Sequence, residues 1–359
     1  MAEGGRNPRR WFVPACLVWG CAAWGQEPLD HLPVSLLTDP GPLTGVQIQS
    51  IDLYVVYWSG VLCGGGGGEL MREARLRLLE PITDPAASAA VSDAASRSAL
   101  TAVRGCLGGR DDAAKLNAMI VAAAAGGPGV AELCVIGLND RAAGVRLWAA
   151  RTLVQAAARV PADVALFNIP QQQRLLAALR LAMARETEGA ALEEMFSALS
   201  TLQIVEARSS LLDILSDRVT LYTGQVSDGL RADRRALEET QNRLAIEIGA
   251  GRNVDSQLRR LTSVTARYVR ALVADIHEGR VPEDLLPAAG TLLETAEKLF
   301  GFVMMHYGVT EAAGPPLVEP FRRNELDELY LNALEWIGVD GSPGLLSTTA
   351  VNIPFQLLR

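Results

Sequence analysis

Three histidines and five cysteines are the whole supply of imidazole and thiol in a chain of 359 residues, and their placement limits the chemistry on offer. His31 lies in a proline-rich arm, His277 at the end of an apolar-periodic stretch and His306 after two methionines. None stands at metal or triad spacing from a carboxylate or Cys: His-Glu-x-x-His, Cys-x-x-Cys and Gly-x-Ser-x-Gly are all absent. The run "NELDELY", with Glu325, Asp327 and Glu328, can meet a cation, but such a helix face is ordinarily solvated charge. Five glycines, Gly64 to Gly68, precede a helical pattern over 69–80. The N–H groups of such a loop can hold an anion. Yet no Gly-Lys-Ser/Thr follows and dinucleotide spacing is missing, so a hinge is the simpler expectation. No cofactor or metal is expected, and no enzymatic activity; the alternative is an enzyme or enzyme subunit whose site is assembled from distant residues.

The N-terminus is a targeting pattern rather than a fold element. Arg6, Arg9 and Arg10 stand against one Glu3, and the uncharged apolar run "WFVPACLVWGCAAWG", 11–25, leads into "QEPLD". This has the form of a secretory signal peptide with Ala23 and Gly25 at the small-residue positions, so cleavage is expected after Gly25. The run is shorter than the roughly 20 residues of a membrane span. "RRWFV" resembles a twin-arginine signal, but with no cofactor motif downstream an ordinary basic region is the expected reading. "LVWGC" resembles a lipoprotein box around Cys21, but Trp19 stands where a small residue is usual, so a lipid anchor is not expected.

Charge and thiols narrow the partners. The chain is formally −8, and a leader with three arginines and one glutamate carries +2, leaving −10 on the remainder. Such an acidic chain repels phosphate backbones, so nucleic acid is not an expected partner. The pairs Arg234–Arg235, Arg259–Arg260 and Arg322–Arg323 are interleaved with acids and fit solvated helix faces. Beyond the leader remain Cys63, Cys106 and Cys134. Cys106 and Cys134 lie on neighbouring predicted helices and can bridge; otherwise all three are buried thiols acting as small hydrophobes.

The elements follow from periodicity. Residues 26–45 hold five prolines and glycines between Pro33 and Gly45 and form an irregular arm. "VQIQSIDLYVVYWSG", 46–60, suits a short strand or a buried helix. From Thr83 onward the chain is helical: one segment from Asp84 to the glycines at 108–109, and the next capped by Asp111 or Asp112. In "GVAELCVIGLNDRAAGVRLWAARTLVQAA", 129–157, Val130, Leu133, Cys134, Ile136 and Leu138 pattern one helix, Asp140 marks a turn, and Val145, Ala149, Leu153 and Ala156 pattern a second. Leu230, Leu237 and Leu244 fall seven apart and begin a helical hairpin completed by a helix from Asp255 to His277. Two further helices follow, and Leu293, Ala296, Leu299, Phe300 and Val303 make a stripe that is core or groove.

"LNDRAAGVRLWAARTL" resembles the core of a HEAT repeat: an acid closing the first helix, Val-Arg five residues on, then alanines and a leucine down the second. Asp140, Val145, Arg146, Ala149, Ala150 and Leu153 match in place. The resemblance implies that Asp140 and Arg146 are structural, tying a turn to the neighbouring repeat. Degenerate neighbours follow: Leu192 takes the Val place 47 residues after Val145, with Glu193 in place of the Arg, and Ala114 and Lys115 sit 31 residues before. The expected fold is all-α. A leader occupies 1–25 and an arm with possible strand, glycine hinge and helix 26–82. HEAT-like repeats span 83–220, and a helical hairpin or bundle 221–359.

Such helix pairs cannot bury their apolar faces alone and must stack into an α-solenoid. The expected function is that of an exported, periplasmic or extracellular scaffold holding a protein partner, with an envelope lipoprotein as a further alternative. Leu147, Arg151, Gln155 and Ala158 lie on a second face of their helix, and Leu147, Arg151 and Gln155, with Glu194, are the expected partner-binding residues. No membrane span is expected in the mature chain.

Overall fold

A computed structural model gives the architecture and describes residues 30–65, 67–161, 164–222, 227–309, 314–339, 342–347, 351–354 and 358. The predicted leader, with Cys16 and Cys21, lies outside them. The protein is all-α. A short α1 (Val34–Leu37) precedes α2 (Gly45–Cys63), α3 (Gly68–Thr83), α4 (Ala89–Leu107), α5 (Asp112–Ala125), α6 (Val130–Leu138) and α7 (Ala143–Ala157). Then come α8 (Ile169–Arg185), α9 (Gly189–Ser200), α10 (Val205–Arg218), α11 (Gly229–Gly249) and α12 (Asp255–His277). The chain continues through α13 (Leu286–His306), α14 (Val318–Arg322) and α15 (Leu326–Ile337). Among the described residues the only strands are β1 (Gly338–Val339) and β2 (Ser342–Pro343), an antiparallel pair.

The segment 46–60 is therefore helix, not strand. Thr44 caps α2 in a capping box with Gln47, which satisfies exposed N–H groups at the first turn. Ile51, Tyr54, Val55, Trp58 and Leu62 are buried at helical spacing, while Val46, Leu53 and Val56 are exposed. Apolar residues on both faces hide the period. Asp111 caps α5 through the N–H groups of Ala113 and Ala114. Ser88, not Asp84, caps α4; Asp84 instead accepts from Ala86 N–H in the preceding turn.

Alternate helices pack side by side. α2, α4, α6, α8 and α10 form one layer, and α3, α5, α7, α9 and α11 the other, with α13 extending the second. Turns after even-numbered helices gather at one edge and turns after odd-numbered helices at the opposite edge. Side-chain contacts between neighbours of the second layer span unequal lengths of chain: Arg75 to Asn117 is 42 residues, Thr152 to Met119 is 33 and Arg151 to Glu194 is 43. Two buried clusters fill the molecule, one mainly under α1–α10 and one under α10–α15. Phe196 and Leu211 touch both. Leu230, Leu237 and Leu244 are buried in the second, as is the Leu293 to Val303 stripe, which is core.

The cysteines pair differently from expectation. Cys63 bonds Cys106, with 4.8 Å between their Cα atoms, and Cys134 is the free, buried thiol. Cys63 and Cys106 end α2 and α4, parallel neighbours in one layer, so both reach the same edge. Cys134 sits inside α6 with no exposed surface, and burial pushes its thiol pKa upward. Proximity in the stack, rather than along the chain, selects the pair. The bond suits an oxidising compartment.

Candidate functional site

The even-turn edge is fastened from end to end. Beyond the disulfide, Lys115 on α5 donates to Asp112 Oδ1 at 3.2 Å and to Asp140 Oδ2 at 2.8 Å in the turn before α7. Asp140 Oδ1 in turn accepts from Ala142 N–H, holding that turn. Arg146 bridges to the next turn: Nε and Nη2 meet the two oxygens of Glu186 at 2.6 and 2.8 Å, and Nη1 donates to the carbonyls of Asp140 and Arg141. Glu186 is fully buried and also accepts from the N–H groups of Thr187 and Glu188. Burial would raise its pKa, but Arg146 and those two N–H groups outweigh it and hold the carboxyl below its usual range. Asp140 is lowered in the same way: its burial is outweighed by Lys115, the Ala142 N–H and Arg141 together.

The chain of contacts continues into the C-terminal helices. Arg218, at the end of α10, donates to the carbonyls of Met183 and Glu186 and, through Nε, to Asp233 Oδ1 on α11 at 2.6 Å. Asp233 Oδ2 accepts from Tyr222 at 2.6 Å and from Tyr268 of α12 at 3.0 Å. Arg218 and Asp233 have no exposed surface. Burial and the Asp233 charge push both phenols well above their usual pKa, so they remain protonated donors. A buried ion pair is stable only when its remaining polar atoms are satisfied, and here two phenols and two carbonyls supply that.

The opposite edge carries both charged and neutral contacts: Arg104 pairs with Glu132 at 2.8 Å near the α5–α6 turn, and Arg159 donates to the carbonyls of Ala123 and Ala124. Gln203 N–H donates to Gln172 Oε1, and Gln171 Nε2 donates to the Pro128 carbonyl. Between α7, α9 and α11 an open cleft of about 760 Å³ reaches this edge. Val154, Leu166, Phe167, Phe196, Leu199 and Leu211 form its apolar walls, and Arg243 and Glu239 stand on the α11 side.

Among the expected partner-binding residues, Arg151 and Glu194 meet each other. Arg151 Nη2 and Nε lie 2.6 and 2.9 Å from Glu194 Oε1, and the guanidinium covers the Trp148 ring. Leu147 is half-buried against the first core, and Gln155 and Ala158 are exposed. These residues share the solvent side of α7, which runs into the cleft at its C-terminal end. Val145, Ala149 and Leu153 are fully buried, and a Cβ built on Gly137 of α6 would fall 2.8 Å from that of Ala149.

Glu186, Arg218, Asp233, Tyr222 and Tyr268 escaped the sequence reading. Glu186 precedes Leu192 by six residues where Asp140 precedes Val145 by five, so a fixed spacing steps past it. A buried acid at the end of α8 was the available signal. His277 pairs with Asp327 of the "NELDELY" face at 2.9 Å and stacks on Tyr330, both at the surface. Among the described residues no group of His, Cys, Asp and Glu has the arrangement of a metal site, and no helix is long and apolar enough to cross a membrane. Compared with known proteins, the chain matches no family profile, no curated protein and no solved structure.

Proposed function

We propose that the protein is an exported scaffold, periplasmic or extracellular, whose stacked HEAT-like helix pairs hold a protein partner on the solvent side of α7 and α9. The observation that carries this reading is the asymmetry of the stack. One edge is fastened by a disulfide and a buried ionic chain from Lys115 to Asp233. The α7–α9 side carries apolar, charged and amide groups to solvent at Leu147, Arg151, Glu194 and Gln155. A rigid, pre-ordered surface loses little entropy when a partner docks, and stacked helix pairs characteristically present such extended surfaces. Side-by-side packing of alternate helices supports the repeat reading, since stacked helix pairs bury their apolar faces in that way. The disulfide supports export.

Site-specific photocrosslinking in the native envelope or secreted fraction tests this. A crosslinker at Gln155 should capture one discrete protein species, and one at Leu181, exposed on the other layer, should not. Equal capture at both positions, or none at Gln155, would remove the α7–α9 side as the docking surface.

A further inference from the structure

We infer that the cleft between α7, α9 and α11 binds a single-chain fatty carboxylate, with its hydrocarbon between the apolar walls and its head at Arg243. The polar side chains lining the cleft are engaged within the protein. Gln172 donates to the Phe167 carbonyl and accepts from the N–H groups of Gln203 and Ile204. Gln203 donates to the Val164 carbonyl. The hydroxyls of Ser200, Thr201 and Thr240 each donate to a carbonyl of their own helix. Glu239 is paired with Arg235 at 3.0 Å.

Arg243 differs. It is exposed, and among the described residues it has no ion pair or hydrogen bond. The cleft therefore offers a ligand apolar wall and one unpaired guanidinium. An extended peptide brings an N–H and a carbonyl with every residue, and burying them without partners costs free energy. A hydrocarbon chain brings neither, and its burial is favourable over its whole length. One anionic head then meets Arg243, the one cation without a partner among the described residues of the cleft, with the fork of the guanidinium matching the two oxygens of a carboxylate. About 760 Å³ falls within the usual range for small-molecule sites. This assignment stands independently of any protein partner on α7 and α9.

Isothermal titration of the purified mature chain with dodecanoate, below its micellar concentration, tests the inference. Saturable one-to-one binding is expected. Butyrate, which has the head without the tail, and dodecyltrimethylammonium, which has the tail with the opposite charge, should each bind at least about tenfold more weakly. Arg243→Gln should weaken dodecanoate about tenfold and leave the circular dichroism spectrum unchanged, since the side chain holds nothing in the fold. Ala157→Trp, which fills the cleft from α7, should abolish binding while Gln155 crosslinking persists. Three results would overturn the inference: dodecanoate bound equally by the Arg243→Gln variant, equal affinity for the cationic amphiphile, or tighter binding of an acetylated Phe-Leu-Glu-Phe peptide. The last would give the cleft to a protein segment.

Discussion

Glu186 accepts four hydrogen bonds while wholly buried, two from Arg146 and two from the backbone of its own turn. Glu186→Ala leaves the Arg146 guanidinium without its counter-charge and should cost about 3–5 kcal/mol in a urea titration. Its lowered pKa sets a pH dependence as well. A carboxyl whose folded pKa lies below its unfolded value contributes stability that is complete above the unfolded pKa, near 4.3, and is lost as pH falls through the folded one. Stability should therefore fall below about pH 4.3, and Glu186→Gln, already weakened at neutral pH, should fall less steeply; equal slopes would mean that other carboxyls dominate. Ala149→Asp places a carboxylate where Gly137 leaves no room and should cost several kcal/mol. Arg151→Glu sets two carboxylates together on α7 and α9 and should destabilise by about 1 kcal/mol, with Glu194→Arg restoring the loss in the double variant.

At the scale of elements, the disulfide closes 43 residues of chain across α2, α3 and α4. Its loss should cost up to about 4 kcal/mol in the chain-entropy account, so Cys63→Ala should lower the melting temperature while Cys134→Ala, at a site outside the bond, should leave the bond intact by mass. The turn and helix pattern from Asp140 to Leu153 was legible because each signal lies within one turn or one helix face: an acid in the turn, an arginine six residues on, and small residues at 3–4 spacing. The hairpin leucines were legible for the same reason. The helical state of 46–60 was not, because α2 is apolar on its buried and exposed sides alike. The Cys63–Cys106 pair was hidden because alternate helices, not successive ones, share a layer. The cleft was hidden for a related reason, since its walls come from several helices and the segment between α7 and α8, whose sequences show no common motif.

For the whole molecule, the Arg218, Asp233, Tyr222 and Tyr268 cluster ties the end of the helix stack to the C-terminal helices, and Phe196 and Leu211 contact both cores. The proposed scaffold role needs this coupling, because a partner on α7 and α9 would be positioned only as firmly as the rest of the body holds those helices. The decisive measurement is native-state hydrogen exchange of the chain beside its Glu186→Gln variant, since exchange reports which segments open together. The account predicts that α7 through α12 share one slow class in the native chain, and that the substitution lowers protection in α7 and in α11–α12 by the same free energy. Loss of protection confined to the turn at 186–188, with α11 and α12 unchanged, would contradict a single rigid body.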